Sequence, residues 1–368
     1  VSPEATIQAY AENGSQGHWL LDPRNVLLQN AAGTDASGGG AITPTTDNEV
    51  VDINTVETAL DGGLNVTITT GATGTQDGNI DVQDAISWTG AGALTLTADN
   101  NISVNDTITS THASGDLTLN AGGDGSGSIS VNHSISLGGS FDATATGGSI
   151  DISSNVVATG IALNSAATTT NNIALNAKTG TFLNLSTVTA NNNLTLRADD
   201  FSLGGIIDGT NDLVIRNYTR FRSMALGDGA AGLTSVSSSE LNMISGNWNE
   251  VDFNSFDGNL DITAHTWNNN VNFFTNLGIL TMSGAQNFGA HDVLIGGRRD
   301  VNINAPLSGS GNLHFKINGS SADSIRIGDN AGLGLKLGDT SLQNIADGWN
   351  EIRLSLIHIS EPTRHESI

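Results

Sequence analysis

The chain has 368 residues, with 13 Lys plus Arg against 37 Asp plus Glu, a formal net charge of -24, 45 Gly and no Cys. Because binding to phosphates draws on clustered Lys and Arg, this charge argues against nucleic acid and anionic membranes as partners. The lack of Cys excludes a disulfide scaffold and thiolate metal sites, and no apolar run is long enough for a membrane-spanning helix.

The first 63 residues predict the end of a coil region and then an irregular excursion. Residues 1–29 hold two apolar runs around a Gly/Asn/Ser turn, which we interpret as the end of a preceding coil region. Neither a start methionine nor an export signal stands at Val1, so the chain is expected to be an internal fragment. Residues 30–63 predict an excursion with a short helix over Ile53 to Leu60.

Residues 64–222 predict regular coils built from short strands. The phrase LTLTADNNISVN at Leu94 returns as LTLNAGGDGSGSISVN at Leu117, as FDATATGGSIDIS at Phe141 and as LTLRADDFSL at Leu194. Each copy has apolar residues at alternate positions, then a polar turn, then a second strand. The first three copies start 23 and 24 residues apart, which predicts coils of roughly 21 to 27 residues. A strand repeat of this length without helices is typical of a stacked all-β solenoid.

Residues 223–353 predict a β-solenoid with two copies of a helix-bearing repeat at an offset of 101 residues. The segments that begin at Ser223 and Ser324 are identical at nine of 31 positions, including Trp248/Trp349 and the Asn-Glu pair that follows each Trp. Each copy predicts a strand ending in Gly-Asp, a loop, a helix and a second strand. The predicted helix caps are Ser238 or Ser239 in the first copy and Thr340 or Ser341 in the second copy.

Two interpretations of the repeated tryptophans are open. Trp248 and Trp349 are either exposed ligand platforms or plugs that pack the inserted helix on the coil below. The plug is favoured, because Leu241, Ile244 and Trp248 fall at i, i+3 and i+7 and would form one buried helical face.

The last segment, residues 354–368, differs from the rest of the chain. It has no Gly and no Asn, and it lacks the run of alternating apolar and polar residues followed by a turn that the preceding coils show. Its sequence LSLIHISEPTR resembles the translation of a transposon-type sequencing adapter. We therefore expect this tail to be an adapter-derived artefact.

Several polar groups are candidates for chemistry, since many β-solenoids cleave polysaccharides with clustered carboxylates. The closest local groups are Asp199-Asp200 and Glu250 with Asp252, each interpreted as a solvated corner. The basic pair Arg298-Arg299 is interpreted as part of a turn salt bridge with Asp300.

The histidines and the glycine-rich segments carry no recognisable motif. His18, His112, His133, His265, His291 and His314 have no metal-ligand spacing, and AGGDGSGSI at Ala121 to Ile129 is interpreted as a plain glycine-rich corner. We therefore predict no catalytic, cofactor-binding or metal-binding residue.

Parts of the sequence resemble filamentous haemagglutinin-like adhesins, which are two-partner secretion exoproteins. The matching pieces are WLLDP near Trp19, GGLNVTITT at Gly62 to Thr70, GNIDVQDAISW at Gly78 to Trp88 and GDTSLQNIADGWNEI at Gly338 to Ile352. The resemblance implies a right-handed parallel β-helix (β-solenoid) with short helical insertions, secreted or displayed on the outer surface of a Gram-negative bacterium. It also implies an outer-membrane transporter of the two-partner type as a partner, although the secretion domain is not in this chain.

The function expected from these features is a structural or adhesive stalk without catalysis and without a cofactor, acting in cell adhesion or biofilm formation. Its contacts would be host or bacterial surface glycans or proteins. Three alternatives remain. They are a polysaccharide-degrading β-helix enzyme, the stalk of a contact-dependent toxin, and a carbohydrate-binding module that uses Trp19, Trp88, Trp248, Trp267 and Trp349.

Overall fold

The fold is all-β, with three short helices among the residues that the structure describes. This computed structural model describes residues 24–31, 41–43, 46–70, 76–165, 167–169, 173–177, 182–317, 324–328 and 334–355. The predictions for His18, Trp19, residues 32–40 and 44–45 of the excursion, and the tail beyond residue 355 lie outside these ranges. No helix in the described ranges is long and apolar enough to cross a bilayer.

The secondary-structure elements follow one another with short turns. The N-terminal elements are β1 (Val26–Gln29), β2 (Ala41–Ile42), β3 (Glu49–Asp52), α1 (Ile53–Asp61), β4 (Val66–Thr69), β5 (Ile80–Val82) and β6 (Ile86–Trp88). The regular coils comprise β7 (Leu94–Thr97), β8 (Ile102–Val104), β9 (Ile108–Ser110), β10 (Leu117–Ala121), β11 (Gly127–Val131), β12 (Ile135–Ser136), β13 (Phe141–Ala145), β14 (Gly147–Ile152), β15 (Val156–Ala158), β16 (Ile161–Leu163), β17 (Ala167–Thr169), β18 (Ile173–Ala177), β19 (Phe182–Leu185), β20 (Val188–Ala190), β21 (Leu194–Arg197), β22 (Asp200–Leu203), β23 (Ile207–Gly209) and β24 (Asp212–Arg216).

The C-terminal part contains two helices. Its elements are β25 (Met224–Leu226), β26 (Thr234–Val236), α2 (Ser238–Leu241), β27 (Glu250–Asn254), β28 (Leu260–Ile262), β29 (His265–Thr266), β30 (Val271–Thr275), β31 (Leu280–Met282), β32 (Gln286–Asn287), β33 (Val293–Gly297), β34 (Asp300–Ile303), β35 (Leu307–Ser308), β36 (Asn312–Ile317), β37 (Ile325–Ile327), β38 (Leu335–Leu337), α3 (Asp339–Gln343) and β39 (Glu351–Ser355). The predicted boundary at residue 354 falls inside β39.

The strands form long parallel sheets, as expected for a parallel β-helix. From β4 to β24 the chain visits the eight-stranded, the nine-stranded and the twelve-stranded sheet in turn, and each strand pairs with the strand one coil away. The twelve-stranded sheet, here called the long sheet, runs from β6 to β39 and spans about 50 Å at ~4.8 Å per strand. Seven-stranded and three-stranded sheets accompany it in the C-terminal part.

Like residues stack on like residues inside the coils. Ile80, Ile102, Ile129 and Ile150 are register partners in successive coils of the nine-stranded sheet, and all are buried. Side chains alternate along each strand, so the apolar set fills the interior while Thr, Ser, Asn and Asp face outward. The alternation that the sequence shows therefore places the core correctly.

Each helix covers the edge of a strand. Glu57 and Asp61 of α1 accept hydrogen bonds from the backbone N–H groups of Ser87 and Thr89, which lie at the first strand of the long sheet. In the two later helices, Glu240 accepts from the N–H of Leu203, and Ser341 accepts from the N–H of Ile303. These side chains satisfy backbone groups that would otherwise be unpaired at a sheet edge.

The structure confirms α1 but corrects the predicted caps. The N-cap of α2 is Ser237, which forms a capping box with Glu240, and the N-cap of α3 is Gly338, which has no side chain to donate or accept. Both caps lie one residue or more before the predicted ones, and in α2 the cause is that the Glu at the third helical position pairs with Ser237.

The sequence predicted that Leu241, Ile244 and Trp248 share one face of a helix, and this prediction is wrong. All three residues are buried, but α2 ends at Leu241. Ile244 forms a parallel β-bridge with Ile207, and Trp248 Nε1 donates to the carbonyl of Ile207. The spacing was wrongly interpreted as helical, because the chain returns to the coil path directly after one turn of helix.

The two copies of the 101-residue repeat share their backbone geometry. Gly227 and Gly328 have φ values of 88° and 84°, and their N–H groups donate to the carbonyls of Val236 and Leu337, both at 2.8 Å. A side chain is strained at such a φ, so Gly is required in both copies.

The repeated tryptophans pack on two equivalent glycines. A Cβ at Gly209 would lie 2.4 Å from the Trp248 ring, and a Cβ at Gly309 would lie 2.7 Å from the Trp349 ring. Each glycine therefore provides the space that the indole of its repeat fills. The plug interpretation is confirmed for Trp248, whereas Trp349 is only partly buried.

Gly209→Ala is predicted to destabilise the chain by about 1–3 kcal/mol, because its methyl group overlaps the Trp248 ring. The measurement is the midpoint of chemical unfolding. Gly204→Ala is the control, since a Cβ there has only the carbonyl oxygen of Leu185 nearby, at 3.5 Å. Equal midpoints for the two variants would contradict the packing described here.

Candidate functional site

A polar groove lies on the outer surface of the long sheet in the C-terminal coils. We call it the acidic groove; its volume is about 220 Å³, and its lining residues are Glu250, Asn270, Asn272, Asp292, Val293, Leu294, Asn312, His314, Glu351 and Arg353. These residues come from β27, β30, β33, β36 and β39 or from the position just before a strand. The groove thus crosses five coils.

Strand register brings these residues together. Asp252 is the register partner of Asn272, Leu294 of His314, and His314 of Arg353. Alternation places the neighbouring apolar residues Phe253, Phe273, Ile295 and Phe315 in the core. Outward residues of successive coils therefore stand about 4.8 Å apart in straight columns.

Amide side chains connect the coils along one edge of the acidic groove. Asn249 Nδ2 donates to Asp212 Oδ1 at 2.8 Å, and Asn270 Nδ2 donates to the carbonyl of Asn249 at 3.0 Å. Asn270 Oδ1 accepts from the N–H of Asp292 at 3.0 Å, and Asp292 Oδ1 accepts from the N–H of Asn312 at 2.7 Å. This ladder fixes the position of the carboxylates at the edge.

Two carboxylates of β27 have raised pKa values. Burial raises the pKa of Glu250 above its ordinary value of 4.5, and the charge of Asp252 raises it further. Burial is also the main cause that raises the pKa of Asp252, while a hydrogen bond from Asn272 opposes the shift. The amide of Asn272 thus lies between two acids that share one face of the strand.

The far end of the groove is basic. Arg353 Nη2 and Glu351 Oε2 are 2.9 Å apart and form an ion pair. Burial lowers the pKa of His314, and the charges of Arg353 and Lys316 lower it further, which favours the neutral imidazole. Its Nε2 contacts the Ser355 hydroxyl.

The described residues contain no group of three or more His, Asp or Glu side chains that is arranged to hold a metal ion. The amides and carboxylates of the groove can form hydrogen bonds, and the carboxylates can transfer protons. Both act on hydroxyl-rich ligands such as polysaccharides.

The sequence interpretation of the candidate acids needs two corrections. Glu250 and Asp252 are not at a solvated corner but on the outer face of β27, where neighbouring strands partly cover them. Asp199 is only 1% exposed, and its carboxylate accepts hydrogen bonds from the N–H groups of Tyr218 and Thr219 at 3.1 and 2.7 Å. Its neighbour Asp200 is exposed.

Asp300 and the glycine-rich corner have local structural roles. Asp300 forms ion pairs of 3.6 Å with Arg326 and with Lys336 of the neighbouring strands. In the corner, Gly122 and Gly125 have φ values of 87° and 97°, and Asp124 Oδ1 accepts from the N–H of Ser126. The corner is a tight turn of the kind that the glycines predict.

The described tryptophans do not form an exposed platform. Trp88, Trp248 and Trp267 are buried, and Trp349 is partly buried. Trp267 is 6% exposed, stacks on Phe288 with ring centroids 6.0 Å apart, and donates from Nε1 to Gln286 Oε1 at 2.9 Å. The ligand-binding role considered for Trp267 thus lacks an accessible ring.

Sequence reasoning missed most of the groove. Asp292, His314 and Arg353 are separated by 20 residues or more in the chain and match no local motif. The signal that could have found them is the offset between coils, because aligning the sequences of equivalent strands shows which outward residues become neighbours.

Comparisons with known proteins do not assign the chain to a family. A scan against models of protein families gave no match for this chain, and searches of curated proteins and of solved structures gave none either. The resemblance to filamentous haemagglutinin-like adhesins stays a prediction.

The raised pKa values predict a pH-dependent stability. Because the folded state binds protons at Glu250 and Asp252 more readily than the unfolded chain, their contribution is complete below the ordinary values of 4.5 and 3.8 and is lost as pH rises through the raised values. The double variant Glu250→Gln, Asp252→Asn should therefore raise Tm by about 1 °C at pH 7 and leave it unchanged at pH 3.

Thermal unfolding followed by circular dichroism at both pH values checks this expectation. Asp200→Asn is the control, since it removes one exposed charge on a different sheet. A double variant whose Tm falls at pH 7 would show that the charged pair stabilises the fold.

Proposed function

We propose that this chain is a stalk segment of a large secreted bacterial surface adhesin, which extends and presents a binding surface without catalysis. The observation that supports the proposal most directly is the uninterrupted long sheet, which passes through both helix-bearing repeats. A stack of this kind is stiff along its axis, because every coil is bonded to the next.

The surface chemistry agrees with an exposed stalk. Outward positions of the strands carry Thr, Ser, Asn and Asp, and the net charge of -24 keeps such chains soluble and apart. The resemblance of GGLNVTITT and GDTSLQNIADGWNEI to filamentous haemagglutinin-like adhesins supports the same role. Export by a two-partner transporter and display on the cell surface belong to this proposal.

Beads coated with the purified chain are expected to attach to epithelial cells, or to each other, several-fold more than albumin-coated beads at equal protein density. The measurement is a bead count per cell under flow, with a circular dichroism spectrum to show that the chain is folded. Attachment no higher than that of albumin on every cell type tested, without bead aggregation, would contradict an adhesive role.

A second candidate is a polysaccharide-degrading enzyme, which the acidic groove favours. The raised pKa of Glu250 suits a general acid, and Asp252 or Asp292 would serve as the base that activates water. Arg353 and the groove amides would orient the sugar hydroxyls.

Incubation with neutral and acidic polysaccharides separates the two functions. The stalk proposal predicts no release of reducing ends above that of the heat-unfolded chain. Release that falls about 100-fold or more in Glu250→Gln, but persists in Asp200→Asn, would instead establish the enzyme.

A further inference from the structure

Four arginines lie close together in an acidic chain. Of the 13 Lys and Arg residues, Arg197, Arg216, Arg220 and Arg222 fall within two coils next to the acidic groove. Arg197 and Arg216 are register partners at the ends of β21 and β24, so their Cα atoms are about 4.8 Å apart. Like charges in this position repel each other.

Two of these arginines, Arg220 and Arg222, have a protein partner for the Nε atom. Arg220 forms an ion pair with the buried Asp257. Arg222 donates from Nη2 to the carbonyl of Leu233 at 2.7 Å and from Nε to Thr234 Oγ1 at 2.9 Å. Their positions are accounted for by the fold.

Arg197 and Arg216 are different. The Nε atoms of both are buried and have no hydrogen-bond partner among the described residues. Arg197 donates from Nη2 to the carbonyl of Tyr218 at 3.0 Å, whereas Arg216 has neither an ion pair nor a hydrogen bond from its guanidinium within the described ranges. Burial lowers the pKa of Arg216, and the charge of Arg197 lowers it further.

Aromatic rings hold the two guanidinium groups in place. Arg197 lies 4.3 Å from the Tyr218 ring centroid, and Arg197 and Arg216 lie 5.6 and 5.4 Å from the Phe256 centroid. Phe256 has a φ of 52°, and its N–H donates to Asn254 Oδ1 at 2.8 Å. Guanidinium groups stacked in this way keep N–H donors at their edges.

We propose that Arg197 and Arg216 form a site for the carboxylate of an acidic sugar residue, in an oligosaccharide that is otherwise neutral. A carboxylate accepts paired N–H bonds from guanidinium groups and relieves the repulsion between the two arginines. Phe256 and Phe221, which is 64% exposed and has its ring centroid 5.1 Å from the guanidinium of Arg220, offer apolar surface for a sugar ring.

The other side chains on the outer face of the long sheet favour an oligosaccharide with few negative charges. Asp212 lies on β24 together with Arg216, and Glu250 and Asp252 lie on β27, the next strand of the long sheet. They repel a polyanion, but they accept hydrogen bonds from the hydroxyls of neutral sugars. This site would bind its sugar whether or not the chain serves as a stalk.

The test is isothermal titration calorimetry of the whole chain with an oligosaccharide that ends in glucuronic acid. The same oligosaccharide ending in glucose is the neutral counterpart. We expect only the acidic form to bind. Its affinity should be about tenfold or more lower in Arg216→Gln, which removes one guanidinium group, and in Arg197→Lys, because a lysine cannot replace the paired donors. Arg299→Gln, an exposed arginine elsewhere, should bind as the original chain does.

Thermal unfolding shows whether each variant is folded, and the acidic oligosaccharide should raise the Tm of the original chain but not that of Arg216→Gln. Equal binding of the neutral and acidic forms, no binding at all by the folded chain, or binding unaffected by both substitutions would overturn the proposal. Tighter binding of dextran sulfate or poly-glutamate than of the glucuronate-ended oligosaccharide would also overturn it, since it would indicate a general anion or acidic-protein site.

Discussion

The parallel pairing of each strand with its equivalent one coil away is the interaction on which the structure depends. Backbone hydrogen bonds hold successive coils at about 4.8 Å, and this spacing stacks like side chains in columns. Inside, the columns are isoleucines, leucines and phenylalanines, so one coil shields the apolar surface of the next. Outside, the same register aligns amides and carboxylates. One constraint thus produces both the core and the polar ladder along the acidic groove.

The features that could bind a ligand lie where the regular pattern changes. Before β21 the outward positions of the long sheet are mostly uncharged, whereas β24 and β27, on either side of α2, bring Arg216, Glu250 and Asp252 into adjacent coils. The helices do not interrupt the long sheet: α1 covers its first strand, whereas α2 and α3 each cover a strand of another sheet with one polar side chain. The inserted repeats therefore alter the surface while the stack continues.

Much of the architecture could be predicted from the sequence, because alternation and turn residues are local. The phrase at Leu94, the helix after Asp52 and the equivalence of Trp248 and Trp349 are all carried by neighbouring residues. The site could not be predicted in the same way. Arg197 meets Arg216 and Asp252 meets Asn272 only through the lengths of the intervening turns, which vary from coil to coil. Trp267 was similarly misleading, since its polar neighbours in AHTWNNN do not reveal the phenylalanines that bury it.

The passage from β22 to β27 has a mechanical consequence. Hydrogen bonds between coils run along the axis of the stack, so a pulling force on the two ends loads every junction in series. At most junctions between coils, strand pairs in three sheets share the load. Here the eight-stranded sheet ends at β22, and the nine-stranded sheet continues only through the single bridge between Ile207 and Ile244. The pairing of β24 with β27 carries the remaining tension. Under load, the chain should therefore yield first at this junction and lengthen there, acting as an extensible link between two stiffer rods.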